Sequence, residues 1–299
     1  MQNLQEYHRP KTIDEAVELL RRSSPKTVVL GGGTWLNGEG ALGHLREVQA
    51  VVDVADLGIN KIETRAAVEI SREPTIHIGA AVTLQTLLTH ALTGVDSSNA
   101  LHVLGEAAQA MAGLNIRNRA TLGGAIATAD SSSPLVTALL ACNAELVTQV
   151  GDQTKILQLT GFLDYRERVL SEGVLITEVR MPLPGEGARA GYYAVARTPR
   201  DYPIVCVVAK TNNIKGRLFV TRIAVGGVAP NPLRLAALEA ALDTNAQADF
   251  IEAELNTAVA ALSPSSDYLG TAEYRKAMAR VLVQRSIKAL LSKDLADEA

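Results

Sequence analysis

Two glycine clusters are the segments of this chain whose residue types and spacing can do chemistry. The first is Gly31-Gly32-Gly33-Thr34-Trp35-Leu36-Asn37-Gly38; the second, about ninety positions on, is Thr121-Leu122-Gly123-Gly124. Glycine lets bare backbone N–H groups approach an anion, so each cluster is a candidate phosphate nest. Neither is a standard nucleotide motif. The G-x-G-x-x-G fingerprint needs a third small residue where Leu36 follows Gly31 and Gly33. Gly33 and Gly38 have the P-loop spacing, but Glu39 takes the lysine's place and would repel a phosphate. With Arg117 and Arg119 just upstream of the second cluster, the two loops together suit one extended, pyrophosphate-bearing ligand held from both sides. Taken singly, the first is equally a glycine-rich turn, and the second reads more simply as a turn beside two solvated arginines.

Other constellations are weaker. His8, His44, His77, His90 and His102 show no metal-ligand spacing and read as surface or core polar groups. Ser131–Ser133 lack the G-x-S-x-G elbow of a serine hydrolase. Asp164–Arg168 read as a charged helical face, and Cys142 as an inert thiol in an apolar helix. Cys142 and Cys206 alone cannot build a disulfide framework or a four-thiolate cluster, which excludes an iron–sulfur centre carried by this chain.

The elements that must position the clusters are legible around them. Thr12 and Glu15 make a capping box for a helix through Leu20. Residues 27–30, a β-branched run after Pro25, read as a strand feeding the first cluster. Residues 50–54 and 75–79 read as further strands, Thr83 caps a helix through about His90, and another helix covers about 101–111. A helix over 134–141 has Pro134 in its first turn, where a missing N–H costs nothing. Residues 174–181 alternate apolar and polar before Pro182, as a half-buried strand does. Gly185-Glu186-Gly187 is the linker candidate. Beyond it, 190–197, 204–211 and 219–228 read as antiparallel strands, the last two joined by a turn at Asn212–Gly216. Helices follow at about 233–242, 246–261 and 271–292. The order describes two α+β lobes with a boundary near 185.

Composition bounds the reading. The chain has 299 residues, 47% hydrophobic and 20% charged, with 29 Lys+Arg against 32 Asp+Glu. That is a globular balance spread over about two domains, with no basic excess to neutralise a nucleic-acid backbone. The N-terminal segment has no apolar core of signal-peptide type and reads as cytosolic, and no apolar stretch approaches a bilayer span.

Taken together, these segments resemble the FAD-binding medium subunit of the molybdenum hydroxylases, the xanthine dehydrogenase and aerobic carbon-monoxide dehydrogenase family. Gly31-Gly32-Gly33-Thr34 is similar to that family's A-G-G-[TH] loop, and Val51-Val52-Asp53-Val54 to the strand after it. His77-Ile78-Gly79-Ala80-Ala81-Val82-Thr83 is similar to its I-G-A-x-[TV]-T segment. Ile116-Arg117-Asn118-Arg119-Ala120-Thr121-Leu122-Gly123-Gly124 is similar to its V-R-N-x-[GA]-T-[IL]-G-G signature. Residues Arg222–Val228 and Tyr274–Met278 resemble its C-terminal domain.

The resemblance implies an α+β fold: a vanillyl-alcohol-oxidase-type (PCMH-type), two-subdomain FAD-binding domain over 1–184, with subdomains at about 1–58 and 59–184. A carbon-monoxide-dehydrogenase-flavoprotein-like α+β domain over 188–292 follows. It implies non-covalent FAD, with pyrophosphate and ribityl contacts from Val29, Leu30, Gly31, Gly32, Gly33, Thr34, Trp35 and Leu36 and from Thr121, Leu122, Gly123 and Gly124. Met111 and Ala112 lie nearby by the same match, and Ile176 packs on the flavin ring. The partners implied are a large subunit with the molybdenum cofactor and a small subunit with [2Fe–2S] clusters, assembled as a dimer of heterotrimers that passes electrons to an external acceptor. No residue of this chain need act as an acid or base.

Three positions depart from the family pattern. Ala125 replaces an Asn, Pro134 replaces the Asp that binds the adenosine ribose, and Ala194 replaces a Lys. Asp130 or Ser133, in a neighbouring turn, is the available substitute for the Asp. Each lost hydrogen bond costs ~0.5–1.5 kcal/mol. Uncompensated, the three weaken FAD by roughly tenfold to a thousandfold. A second reading is therefore a scaffold subunit of the same complex with a weak or empty flavin site. The segment WLNGEG at Trp35–Gly40 also departs from the apolar or basic residues expected there.

Overall fold

The computed structural model describes residues 3–66, 74–93, 100–183, 188–214, 217–244 and 247–291. Two compact units result, each assembled from separated stretches of chain. The first comprises Met1–Leu87, Gly113–Thr128 and Ala144–Pro182; the second comprises Leu88–Ala112, Ala129–Asn143 and Leu183–Ala299.

The first unit opens with β1 (Glu6–His8), α1 (Ile13–Leu20), β2 (Thr27–Leu30), α2 (Thr34–Ala41) and β3 (Ala50–Asp53). The strands pair in parallel in the order β1-β3-β2, with Ala50, Val51 and Val52 of the central strand fully buried. Thr12 caps α1 by accepting the Glu15 amide at 3.2 Å, while Glu15 accepts the Lys11 amide, one residue outside the expected box. Ala16, Val17 and Leu20 then bury against Val52, Val54 and Leu175. Trp35–Gly40 is the interior of α2, a helix hidden in sequence by the low helix propensity of Gly38 and Gly40.

The chain continues through β4 (Ile62–Arg65) and β5 (Thr75–Gly79) into α3 (Leu84–Leu92), within which it leaves for the second unit and α4 (Ala100–Met111). It returns for α5 (Leu114–Arg117) and α6 (Leu122–Ala127), leaves again for α7 (Pro134–Ala141), and returns for β6 (Glu145–Val150), β7 (Gln153–Gln158), α8 (Leu159–Asp164), α9 (Arg166–Ser171) and β8 (Leu175–Pro182). These strands complete an antiparallel sheet in the order β4-β5-β8-β6-β7.

In the second unit, β9 (Ala188–Val195), β10 (Val205–Ile214), β11 (Arg217–Gly226) and β12 (Leu233–Arg234) form an antiparallel sheet in the order β12-β11-β10-β9. Its helices are α10 (Ala236–Asp243), α11 (Ala248–Ala261) and α12 (Ala272–Leu291), with α4 and α7. Val205, Val207, Ile223 and Val225 pack with Leu238, Leu282, Val283 and Ile287. Their neighbours Cys206, Val208 and Ala224 are equally buried, and Cys206 reaches Thr137 of α7 at 3.5 Å. A strand covered on both faces has no polar alternation, which explains the unbroken apolar run Ile204–Ala209. The eight residues of α7 are all buried, as an all-apolar helix requires.

Several boundaries shift by about two residues from the sequence expectation, and two shifts have a plain cause. The strand β10 runs on to Ile214, paired with Arg217, where a turn was expected to begin at Asn212. Helix α10 begins at Ala236 because Leu233 and Arg234 pair with Val225 and Ala224 instead. The linker candidate Gly185–Gly187 lies outside the described residues. Because β12 is so short, most of the outer edge of β11 has no strand beside it among the described residues. Carboxylates of α10 cap that edge: Asp243 accepts the Thr221 amide at 2.7 Å and Glu239 the Ile223 amide at 2.8 Å.

Candidate functional site

Both glycine clusters lie in the first unit, and the fold brings them into contact. Val29 and Leu30 end β2, fixed opposite Val52 and Asp53. Gly31 and Gly32 then turn the chain, and Gly33 caps α2 in the left-handed region, at φ 74°. Asn37 donates to the Gly33 carbonyl at 2.9 Å, the first bond of the helix. The backbone amides of Gly31, Gly32, Gly33, Thr34, Trp35 and Leu36 find no acceptor among the described residues. Six successive open amides at the positive end of a helix dipole form an anion cradle.

Gly31 and Gly32 owe their identity to the second cluster. A Cβ on Gly32 would lie 1.6 Å from the Arg119 carbonyl oxygen, and one on Gly31 would lie 2.6 Å from Thr121 Oγ1. The first loop therefore rests directly on the backbone of the second. Sequence reasoning assigned these glycines to phosphate approach; the packing of loop on loop already demands them.

The second cluster differs in kind from the donor run read in the sequence. Leu122 donates its amide to the Val82 carbonyl at 2.9 Å, and Gly123 donates to the Ala80 carbonyl at 2.8 Å. Thr121 caps α6 by accepting the Gly124 amide at 3.2 Å. A Cβ on Gly123 would lie 2.9 Å from Ala80 Cβ, so this glycine too is set by packing. Two of the expected donors are thus spent on holding the loop to the Gly79–Thr83 segment, and a third on the cap of its own helix. Arg117 bonds Gln85 at 3.0 Å, Arg119 is exposed, and Ala125 is buried within α6. Ile176 is buried in β8, opposite Thr148 of β6.

Met111, Ala112 and Asp130 belong to the second unit. Met111 ends α4, and its sulfur takes contacts from Ser133 Oγ at 3.8 Å and Tyr202 Oη at 4.0 Å. Ser133 is fully buried as the cap of α7, accepting the Val136 amide, so it is spent; Asp130 remains exposed. Pro134 starts α7 with its side chain buried, and Ala194 is exposed on β9. No sequence pattern marks Tyr202, which donates to Asp130 Oδ1 at 3.2 Å. Tyr192, on β9, holds a buried hydroxyl without a hydrogen-bond partner among the described residues, and burial pushes its pKa well above that of an ordinary phenol.

The weaker candidates have structural partners. His8, His44 and His77 each sit 2.6–2.7 Å from a carboxylate, those of Glu6, Glu39 and Glu178. Cys142 and Cys206 are buried free thiols whose pKa values burial raises, that of Cys206 to about 12. No helix among the described residues is long and apolar enough to cross a membrane.

Residues 2–184 match the family described as FAD binding domain in molybdopterin dehydrogenase, and residues 190–290 match the CO dehydrogenase flavoprotein C-terminal domain. The fold and cradle are thus those of a flavoprotein component of an oxidoreductase. The chain is 28% identical over 289 residues to the carbon monoxide dehydrogenase medium chain of Hydrogenophaga pseudoflava, covering 95% of this chain and 96% of that one. It is 32% identical over 232 residues to the 6-hydroxypseudooxynicotine dehydrogenase complex subunit alpha of Paenarthrobacter nicotinovorans, covering 77% of each. A solved structure of the Hydrogenophaga carbon monoxide dehydrogenase lacking the Mo-pyranopterin moiety superposes with a TM-score of 0.83 at 27% identity, over 97% of this chain and 99% of that one. The chain belongs to the FAD-binding medium subunits of the molybdenum hydroxylases.

Proposed function

We propose that this chain is the electron-exit subunit of a cytoplasmic molybdenum hydroxylase, with FAD held non-covalently on the cradle of Gly31–Leu36. A large partner with the molybdenum cofactor oxidises the substrate, a small partner with [2Fe–2S] clusters relays the electrons, and the assembly is a dimer of such heterotrimers. Bound FAD supplies the redox centre that takes these electrons and yields them to an external acceptor. The row of six open amides at the start of α2 is the observation that carries this reading. It offers donors to a pyrophosphate that no P-loop lysine neutralises here. The residues of the second loop contribute mainly by fixing the first, through the contacts of Arg119 and Thr121 with Gly32 and Gly31.

The test is an absorption spectrum of the complex purified on this chain, followed by acid extraction of flavin. One FAD per chain is the expected result. Iron–sulfur bands and molybdenum without flavin would move the protein to the scaffold reading. A second experiment addresses the assigned residues. Gly124 is exposed beside Thr121, so Gly124→Leu is expected to crowd the site and strip the flavin. Arg189 lies on β9, where it bonds the Leu290 carbonyl, and Arg189→Gln is expected to leave flavin content unchanged. Equal loss in both variants would sink the assigned geometry.

A further inference from the structure

Lys210 of β10 and Arg222 of β11 stand directly opposite each other, two cations in one cross-strand pair. Side chains alternate along a strand, so Lys210 shares its sheet face with Cys206, and Arg222 with the Gly226 position. That face meets α7. Cys206 Sγ lies 3.5 Å from Thr137 Oγ1, and a Cβ on Gly226 would lie 2.6 Å from the same atom. Both cations therefore lie on the α7 side of the sheet, and both are half-buried. Arg222 Nη1 donates to the Thr221 carbonyl at 2.7 Å, but its Nε is buried with no acceptor among the described residues. Neither cation forms an ion pair there. Their neighbour on this face, Arg234 opposite Ala224, differs: it is paired with Glu239 through Nε at 3.1 Å and through Nη2.

Like charges set directly opposite repel each other, and a buried N–H without an acceptor is a donor taken out of water for nothing. The end of α7 offsets part of this. Burial raises the thiol of Cys142, the C-cap of α7, and the Lys210 charge opposes that rise, so Lys210 lies near this end. A helix C-terminus carries roughly −0.5 of an elementary charge, against two full positive charges here. We infer that Lys210 and Arg222 hold a small divalent oxyanion, of the inorganic phosphate class, on the α7 side of this sheet. Two uncompensated unit charges match a dianion better than chloride or a carboxylate, and both side chains bring N–H donors. The site lies wholly in the second unit and shares no residue with the flavin cradle.

The test uses the full chain in its complex, melted over a series of inorganic phosphate concentrations at constant ionic strength, with equilibrium dialysis against labelled phosphate. Wild type is expected to gain thermal midpoint with phosphate beyond what chloride or acetate gives, as mass action at a folded-state site requires. Lys210→Gln removes one charge and should weaken phosphate binding by roughly tenfold or more. In phosphate-free buffer the same variant should melt at or above the wild-type temperature, because a repulsion is gone. Phosphate taken up by the cradle of the first unit is common to both chains, so the difference between them belongs to this site. Equal phosphate dependence in wild type and Lys210→Gln would overturn the site. A variant that melts lower without phosphate would overturn it too, since α7 and not an anion would then be holding Lys210. An acetate response as large as the phosphate response would overturn the divalent assignment.

Discussion

Gly32→Ala is expected to cost the chain its flavin, although it adds a single methyl group. That methyl would stand 1.6 Å from the Arg119 carbonyl oxygen and 2.9 Å from the Ala120 nitrogen, so backbone must move rather than a side chain. The displaced peptide is itself tied down, since the Ala120 amide donates to the Ile116 carbonyl at 2.7 Å. Overpacking in cores costs about 1–3 kcal/mol, and a backbone collision belongs at the upper end. A cradle distorted by that much loses roughly a hundredfold in affinity. Gly38→Ala is the internal control. Nothing lies within 4 Å of its added carbon, and it sits inside α2. Alanine there is expected to stabilise the fold by about 0.5–1 kcal/mol and leave flavin in place. Flavin absorbance per chain and thermal melting of both variants decide the matter. Wild-type flavin content in Gly32→Ala would refute the loop-on-loop account.

Arg275→Met carries the largest expected loss of stability, about 2–4 kcal/mol, because two buried backbone carbonyls lose a charged donor while the exposed Asp267 stays solvated. The arginine is 5% exposed, donates to two backbone carbonyls through Nη1, and holds both Asp267 oxygens through Nη2 at 2.9 and 2.8 Å. Methionine fills similar volume and satisfies none of these acceptors. Lysine should rescue little, because a point charge cannot reproduce the fork. The pH dependence follows from Asp267, whose carboxyl Arg275 holds below its ordinary value of 3.8. A depressed acid contributes stability above its unfolded pKa and loses it as pH falls through the folded value. Wild type should therefore keep this tie until strongly acidic pH, and Arg275→Met should lack that part of the acid transition. Denaturant unfolding across pH checks both statements, and an unchanged midpoint in Arg275→Met would contradict the first.

Much of this architecture was legible in the sequence because local chemistry decides it. Helix α7 begins and ends where Ser133, Pro134 and the apolar run place it, and β2 and β5 occupy the expected residues. What stayed hidden depends on residues distant in sequence. No local pattern says that the amides of Leu122 and Gly123 are claimed by Val82 and Ala80, or that Gly32 abuts Arg119. Nothing near Tyr202 in sequence marks it as a neighbour of Asp130, 72 positions away. The departures at Ala125 and Pro134 were visible as missing hydrogen-bonding groups. Only the structure shows their sites filled by helix packing and Asp130 presented nearby in sequence.

The second unit takes α4 and α7 from the part of the chain that precedes β9, and packs both against the sheet of β9–β12. This has a consequence for how such genes can recombine. A crossover placed between residues 184 and 190, where two sequence families meet, would give the C-terminal strands a foreign α4 and α7. The side chains of those helices would then face strands they had not evolved beside. The two halves of the gene are bound to diverge together, because the first encodes two helices of the second's core.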